Sequence, residues 1–294
     1  MDLEEGRESQ NLEDRRRVGP RKLAIGGGIG SIILLLIATY LGVDPQRLNQ
    51  LFNAGGAQQG VEQRPATAEE ERSRKFYSNI LAFTEDVWSE QFRNSEQLRK
   101  AGKTYTPPKM VLFTDQVDTG GCGTAPSAVG PFYCPADRTV YLDPTFFDEL
   151  DQRLGGSKAE FSQAYVIAHE VGHHVQNLLG YSRLVDEKRR TLAEGEFYPW
   201  SVRLELQADY LAGVWAHHGQ EKFHFLRDGD VESAIKTANA IGDDRLQKRA
   251  RGFSSPENYT HGTSTQRVKW FSLGLKTGDM RMLKRIFELP YEEL

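Results

Sequence analysis

The sequence predicts an α+β fold, mainly helical with a small sheet, which follows one N-terminal transmembrane helix. Three observations support this prediction. Long segments after residue 68 carry apolar residues at helical spacing. Two short apolar runs, 109–113 and 139–142, resemble strands and are separated by a glycine-rich segment. An uncharged apolar stretch, 23–43, is long enough to cross a bilayer as a helix, which takes ~20 residues.

Composition limits the classes of partner. The chain has 294 residues and a formal net charge of −4, with a pI near 6.0. Such a charge provides no basic field for phosphate groups, so we expect no nucleic-acid partner. The only cysteines, Cys122 and Cys134, lie close together in a segment rich in glycine and proline. This spacing favours one disulfide over a cysteine metal site.

Charges around the apolar stretch predict its orientation. Arg15, Arg16, Arg17, Arg21 and Lys22 precede it, whereas Arg47 is the only basic residue shortly after it. The positive-inside rule then places the N-terminus in the cytoplasm and the following domain outside the membrane. A long acidic tail and the lack of a nearby small-x-small site argue against a cleaved signal peptide. Gly26 and Gly30 leave open a weak homodimer through the span, although glycine is common in such helices.

These features divide the chain into four parts. We expect a cytoplasmic tail at 1–22, a transmembrane helix at 23–43, a flexible tether at 44–67 and one folded domain at 68–294. The tether is rich in glycine, glutamine and alanine. An exported domain also suits a Cys122–Cys134 disulfide.

Within the domain, apolar periodicity predicts helices from residue 69 to 94, from 158 to 179 ending at Gly180, from 199 to 218 with Pro199 near the start, and from 231 to 251. Asp143 and Pro144 resemble the cap and first position of a further short helix. A loop from Tyr259 then leads to the last helical segments.

The helix at 158–179 carries the pattern HExxH as His169-Glu170-Val171-Gly172-His173. Residues four apart project from one face of a helix, so both imidazoles can reach one ion. Glu170 lies beside the first histidine and can take a proton from a water held at the metal. The alternative is two surface histidines on an ordinary helix.

A catalytic zinc site usually has three protein ligands, so a third is required. The metzincin extension is excluded because Gln176 and Leu179 replace its glycine and histidine. Glu205 on the helix at 199–218 is the candidate, since an unpaired charge among its apolar neighbours would be costly. Asp209, one turn further on, could accept a hydrogen bond from a ligand histidine and fix its ring.

At these motifs the sequence resembles the bacterial neutral zinc metallopeptidases, which are membrane-anchored. The resemblance extends over the whole chain: a charged tail, one span and a polar tether, then the segments GPFYCPADRTVYLD, AHEVGHHVQNLLG, ELQADYLAGVWAH and NYTHGTSTQR in that order. It implies a zincin-like fold and a peptidase without naming a substrate. HExxH with a later ExxxD is also similar to glutamate-ligand zincins, which implies Glu205 as a ligand and Asp209 beside it.

The other histidines have different interpretations. His261 lies in a polar Gly/Thr/Ser loop and is the candidate for stabilising the transition-state oxyanion, as a late histidine does in glutamate-ligand zincins; a structural loop role is the alternative. His174 points about 100° away from His173 and is expected to pack in the core or against a ligand. His217 and His218 are explained by contact with a helix C-terminus, without metal. Asp243 and Asp244 indicate a helix surface or helix end.

The sequence thus predicts Zn²⁺-dependent hydrolysis of peptide bonds, by an endopeptidase rather than an exopeptidase, with Glu170 as general base and a peptide or protein as substrate. An extended substrate could add to the edge of the strand at 139–142. Two alternatives stay open: a membrane-anchored scaffold protein with a structural zinc site, and a zinc amidase that cleaves a non-protein amide. Glu170 argues against the scaffold, which needs no base.

Overall fold

The structure, a computed structural model, describes residues 1–3, 6–17 and 65–294. It is mainly helical with a small sheet, in agreement with the predicted α+β class. The helices are α1 (Ala68–Asn94), α2 (Glu96–Lys100), α3 (Phe146–Gln152), α4 (Glu160–Leu179), α5 (Tyr181–Thr191), α6 (Glu194–Phe223), α7 (Asp230–Ala240), α8 (Asp243–Arg251), α9 (Ser264–Thr277) and α10 (Met282–Glu288). The strands are β1 (Leu12–Asp14), β2 (Lys109–Leu112), β3 (Gln116–Asp118), β4 (Thr124–Pro126), β5 (Phe132–Cys134) and β6 (Thr139–Leu142).

The main sheet has the order β1-β2-β6-β5. Strands β1, β2 and β6 are parallel, and β5 is antiparallel to β6. The predicted strands at 109–113 and 139–142 are both present, and the structure adds that they are neighbours in the sheet. Strands β3 and β4 form a separate hairpin. The predicted disulfide between Cys122 and Cys134 is present and connects this hairpin to the end of β5, with Cα atoms 6.0 Å apart.

The N-terminal segment differs from the expected separate tail. Its strand β1 pairs with β2, with Glu13 opposite Val111. The Glu85 carboxylate of α1 is buried and accepts hydrogen bonds from Arg7 Nη2 and Asn11 Nδ2, both at 2.7 Å. The folded unit therefore includes residues before 18, and its expected start at residue 68 was too late. The tail was missed because an edge strand needs few apolar residues.

Two helix boundaries also differ from the predictions. Helix α6 begins at Glu194, so Pro199 lies inside it rather than near its start. Proline is tolerated there because only one backbone hydrogen bond is lost, close to an exposed helix end. The expected helix at 231–251 is two helices, since Gly242 is extended and the Asp243 amide donates to the Gly262 carbonyl at 2.9 Å. The short helix after Pro144 has its cap at Thr145 instead of Asp143.

The core that positions the site consists of α4, α6 and α9. Helices α6 and α9 cross at glycines: a Cβ on Gly213 would lie 2.2 Å from the Phe271 carbonyl oxygen, and one on Gly274 would lie 2.1 Å from that of Tyr210. These contacts are with backbone, which cannot rotate away. The two helices therefore approach as closely as backbones allow. This close contact fixes the relative positions of the side chains that they carry.

The predicted transmembrane helix at 23–43 and most of the tether at 44–67 lie outside the described residues. Among the helices that the structure does describe, none combines the length and the apolar character needed to cross a membrane.

Candidate metal centre

Helix α4 presents the histidines of the motif on one face. His169 and His173 lie one turn apart, with ring centroids 4.8 Å from each other. Helix α6 lies against this face because residue 172 is glycine: a Cβ there would lie 3.0 Å from the Ala208 carbonyl oxygen. The glycine inside the motif therefore has a packing role, which is to let the second helix approach the histidines.

This approach brings Glu205 of α6 to both rings. Its Oε2 atom lies 3.3 Å from His169 Nε2, and its Oε1 atom lies 3.6 Å from His173 Nε2. Two ligands bound about 2.0–2.1 Å from an ion at tetrahedral angles lie roughly 3.4 Å apart. The observed separations fit that geometry. The three donor atoms all lie within 4.8 Å of one another.

Each histidine is oriented by its other ring nitrogen. His169 Nδ1 donates to Asp209 Oδ1 at 2.8 Å. His173 Nδ1 donates to Gln176 Oε1 at 2.8 Å, and Gln176 Nε2 donates in turn to the Leu204 carbonyl at 2.6 Å. With the protons on Nδ1, both Nε2 lone pairs face Glu205, which is the arrangement of metal-binding histidines. Gln176, which distinguishes the sequence from the metzincins, holds the His173 ring in place.

Asp209 is the centre of a buried network that the sequence did not reveal. Arg267 of α9 binds it with two hydrogen bonds, Nε to Oδ2 at 2.8 Å and Nη2 to Oδ1 at 3.0 Å. The Tyr165 hydroxyl donates to Oδ1 at 2.6 Å. All three residues are buried. Arg267 is the last residue of the segment NYTHGTSTQR, which is part of the family resemblance. No spacing relates it to the HExxH motif, so its contact with Asp209 was not predicted.

The negative charges of the site favour the binding of a cation. Burial would raise the pKa of Asp209, but Arg267 and His169 outweigh it and lower that pKa to about 2. Burial would likewise raise the pKa of Glu205, yet His173 and His169 hold it well below its usual range. Burial lowers the pKa of His169, whereas Asp209 and Glu205 raise it to about 10. Arg267 balances only one of the two carboxylates, so the site takes up either a proton or a metal ion.

A cleft of about 490 Å³ opens over these groups, and His169, Glu170, His173 and Glu205 lie in its wall. Glu170 is 8 % exposed. Burial raises the pKa of this carboxyl, and the two neighbouring histidines oppose the increase. A carboxyl group with a raised pKa is a better proton acceptor than an ordinary glutamate.

His261 lies in the wall of the same cleft. Asp243 accepts hydrogen bonds from the backbone amides of Thr260, His261 and Gly262 at 2.7, 2.6 and 3.1 Å. It also lies 3.2 Å from His261 Nδ1. Burial lowers the pKa of His261, but Asp243 and Glu205 raise it above its ordinary value. The sequence indicated Asp243 as part of a helix end, and the structure adds that its carboxylate holds the His261 loop.

His174 points away from the metal-binding face and is fully buried. Its Nε2 donates to the Thr106 carbonyl at 2.7 Å, and its Nδ1 accepts from the Tyr133 hydroxyl at 3.0 Å. Asn177 Nδ2 donates to the same hydroxyl at 3.0 Å. The histidine beside the motif therefore connects α4 to β5, which borders the cleft.

The strand expected to offer its edge was the wrong one. Strand β6 at 139–142 lies inside the sheet, between β2 and β5. Strand β5 has β6 on one side, and among the described strands none pairs with its other side. Residues 130–133 line the cleft. The edge strand whose residues line the cleft is therefore β5 and not β6.

These residues define a site of the HExxH class, in which two histidines and a carboxylate from a second helix can hold a metal ion. The sequence model of the family described as "Putative neutral zinc metallopeptidase" matches residues 1–284. The chain belongs to this family. Zinc is the family's metal, and the buried group formed by His169, His173 and Glu205 is suited to it.

Relatives extend over much of the chain. The "Uncharacterized protein YpfJ" of Escherichia coli (strain K12) is 45% identical over 282 residues, which covers 93% of this chain and 94% of that protein. The "Uncharacterized protein Rv2575" of Mycobacterium tuberculosis (strain ATCC 25618 / H37Rv) is 46% identical over 184 residues, which covers 60% of this chain and 61% of that protein. No solved structure gives a significant match.

Proposed function

We propose that the protein is a zinc-dependent peptidase of the zincin type, with His169, His173 and Glu205 as metal ligands and Glu170 as general base. The observation that carries the proposal is the convergence of the three donor atoms, within 4.8 Å of one another, in the wall of a cleft that also contains Glu170. A purely structural zinc site is normally closed by a fourth protein ligand and has no need of an adjacent base.

When bound, zinc lowers the pKa of a coordinated water to about 7 and polarises a carbonyl. Side chains of the protein carry out the remaining steps. Glu170 accepts the proton of the attacking water and then delivers it to the leaving amine nitrogen. Its burial supports both steps, because the raised pKa lets the carboxyl group hold the proton between them. No side chain forms a covalent intermediate in this scheme.

His261 is proposed to stabilise the oxyanion that forms on the substrate. Asp243 lies 3.2 Å from its Nδ1, so the other ring nitrogen remains for a substrate in the cleft. The raised pKa of the imidazole favours the protonated form, which is the form able to donate to an oxyanion.

Strand β5 supports a peptide as the substrate. An extended chain can add to a free strand edge through backbone hydrogen bonds, which do not depend on side-chain identity. This mode needs no free terminus, so it favours an endopeptidase. The Tyr133–His174 hydrogen bond couples the position of β5 to the helix of the motif, which fixes the distance between a bound peptide and the metal.

Three variants of the full chain, purified in detergent, test the assignment. Glu170→Gln keeps every proposed ligand, so it should bind zinc normally and lose hydrolysis of an unfolded protein substrate by about 10²–10⁴-fold. Glu205→Ala removes a ligand, so zinc affinity should fall sharply. Asp209→Ala leaves the ligands but frees the His169 ring, so it should show the milder loss of ~10–100-fold.

The measurements are zinc content, titration against a competing chelator and substrate cleavage in one buffer. Full zinc affinity in Glu205→Ala would remove Glu205 from the ligand set. Unchanged hydrolysis in Glu170→Gln would refute the proposed mechanism even if zinc were bound.

His261→Ala separates the oxyanion role from a structural one. The variant should keep its zinc and lose kcat by about 10²-fold, the usual effect of removing one such donor. A wild-type kcat would show that His261 has only a structural role in the loop.

A further inference from the structure

A second cluster of metal-binding groups lies near the other end of α6. His217, His218 and Glu221 each offer a donor atom, and these atoms lie within 4.8 Å of one another. At about 1.5 Å rise per residue, Glu221 is roughly 24 Å along the helix from Glu205. The cluster is therefore separate from the cleft and cannot share its ion.

Hydrogen bonds to α9 fix the tautomer of both rings. His217 Nδ1 lies 2.8 Å from the Leu275 carbonyl oxygen. His218 Nε2 lies 2.9 Å from the Gly278 carbonyl oxygen. A carbonyl only accepts, so these two ring nitrogens carry the protons. The expected contact with a helix C-terminus is thus present, but the carbonyls belong to α9 and not to the helix that carries the histidines.

The remaining ring nitrogens face one carboxylate. His217 Nε2 lies 3.5 Å from Glu221 Oε1, and His218 Nδ1 lies 3.1 Å from Glu221 Oε2. In the neutral rings these nitrogens are lone pairs, which repel a carboxylate unless a cation lies between them. Satisfying both pairs with protons places two positively charged rings beside one carboxylate, whereas one divalent ion can bind all three groups at once.

Two adjacent helical residues normally diverge by about 100°, and this pair converges because the rings use different nitrogens. The ring planes are nearly perpendicular, at 85°. His217 reaches the shared point through Nε2 and His218 through Nδ1, which lies closer to its own backbone. Glu221 completes the set because residues three and four apart share a helix face.

The rings are held in place before any ion binds. They pack on the bare backbone of Gly278, where a Cβ would lie 2.3 Å from His217 Cδ2 and 2.8 Å from His218 Nε2. The crossing of α6 and α9 at Gly213 and Gly274 lies close by along both helices. Lys222, which follows Glu221 in the sequence, is paired with Glu90 at 2.6 Å.

We infer that His217, His218 and Glu221, all on α6, form a second site for a divalent transition-metal ion. Two imidazoles and one carboxylate select zinc, nickel or copper over magnesium or calcium, which prefer all-oxygen sites. The carbonyls of Leu275 and Gly278 act as the partners that usually orient metal-binding histidines, so a bound ion would hold the rings in the positions in which they contact the end of α9. Helices α6 and α9 also carry Asp209 and Arg267, so the site would stabilise the helix pair that supports the cleft.

The test counts zinc ions on the full chain in detergent, after removal of metal by chelator and dialysis against a small excess of Zn²⁺. Wild type should bind two ions. Glu221→Gln, which alters only an exposed carboxylate, should bind one. His224→Asn is the matched control, because His224 lies outside both clusters and asparagine tolerates its left-handed backbone, with φ of 53°; it should bind two.

A second readout keeps the inference independent of the cleft. In a His169→Ala/His173→Ala background, Zn²⁺ at about 100 times its Kd should raise the Tm by roughly 5–10 °C. Adding Glu221→Gln should abolish this shift. Equal stoichiometry in wild type and Glu221→Gln, or the absence of a Zn²⁺-dependent shift in that background, would overturn the second site. A single ion in wild type that Glu221→Gln loses would instead support the second site and count against zinc binding in the cleft.

Discussion

Replacement of Arg267 by methionine is the sharpest test of the buried network behind the metal centre. The variant keeps most of the side-chain volume but removes both hydrogen bonds to Asp209, which are 2.8 and 3.0 Å long. Arg267 is 3 % exposed and Asp209 is 0 % exposed, so water cannot replace the lost contacts. A carboxylate would then be left buried with only Tyr165 and His169 beside it.

The magnitude follows from two independent arguments. Breaking a buried ion pair by removing one partner costs about 3–5 kcal/mol. The pKa of Asp209, about 2 in the intact site, should rise past its ordinary value of 3.8 once burial is no longer opposed by Arg267. At about 1.4 kcal/mol per pKa unit, that change alone is worth at least roughly 2 kcal/mol. We expect the free energy of unfolding to fall by ~3 kcal/mol.

Urea unfolding of the zinc-free full chain measures this loss. Chelator competition measures zinc affinity, which should fall because Asp209, the partner of the His169 ring, is no longer held by Arg267. Arg267→Met/Asp209→Asn should be more stable than Arg267→Met alone, since it leaves no buried charge unpaired. Arg281→Met is the control: its ion pair with Asp279 lies on the surface, and its loss should be undetectable. If Arg267→Met unfolds like wild type, or the double variant shows the sum of the two single losses, the network argument is wrong.

Three further changes test other parts of the structure. Gly213→Ala should destabilise the protein by several kcal/mol, because the new Cβ meets backbone at 2.2 Å, whereas Gly195→Ala in the same helix meets nothing within 4 Å and should be harmless. Burial lowers the pKa of His174 to about 4. The unfolded chain therefore binds this proton first as the pH falls, and stability should drop between pH 6.5 and 4 by up to roughly 3 kcal/mol; His174→Gln should flatten that part of the pH profile of unfolding. Replacing Cys122 and Cys134 by serine opens a short loop and should cost ~3 kcal/mol in the same assay.

Periodicity predicted the helices that carry the motif, because apolar residues recur at the helical spacing in both. Their burial extends beyond one face, since every residue of 164–172 in α4 and of 205–216 in α6 is buried. Periodicity did not predict two helix boundaries, because local contacts and not burial determine them. Helix α6 begins one turn before Pro199 because of local capping, and α7 and α8 separate at Gly242 because the chain there pairs with the His261 loop. Neither cause leaves a repeating pattern in the sequence.

The candidate site was predictable to the extent that its groups lie on one or two helices. His169, Glu170 and His173 are related by spacing on α4, and Glu205 and Asp209 by spacing on α6. Arg267 and Asp243 act across tertiary contacts, for which one sequence contains no spacing rule. Gln176 lies one turn from His173 on α4, so its spacing was visible although its role was not predicted. Strand β1 was missed for a different reason: its segment is short and charged, and its partner β2 lies almost 100 residues away.

That strand has a consequence for the predicted topology. Strands β1 and β2 can pair only when both lie on the same side of a membrane. A single crossing at residues 23–43 would place the tail in the cytoplasm and the domain outside, so the pairing and the predicted topology exclude each other in one molecule. The contacts favour the pairing, because Asn11 and Arg7 bind the buried Glu85 carboxylate at 2.7 Å, and an unpaired buried carboxylate is strongly destabilising.

We therefore expect the tail and the domain to be equally accessible to a thiol reagent that cannot cross membranes. Glu13→Cys reports on the tail and Lys158→Cys on the domain; their native side chains are each 57% exposed, and the two native cysteines are already joined. Equal labelling of the two variants in intact spheroplasts, either complete or absent, fits a tail that pairs with β2, and the chain between them then crosses the membrane an even number of times or not at all. Labelling of Lys158→Cys alone would support a single crossing of the membrane between the tail and the domain. Strand β1 would then have to be absent from the sheet in the membrane-bound protein, and deletion of residues 1–17, which should otherwise destabilise the domain by exposing Glu85 and the edge of β2, would leave its unfolding unchanged.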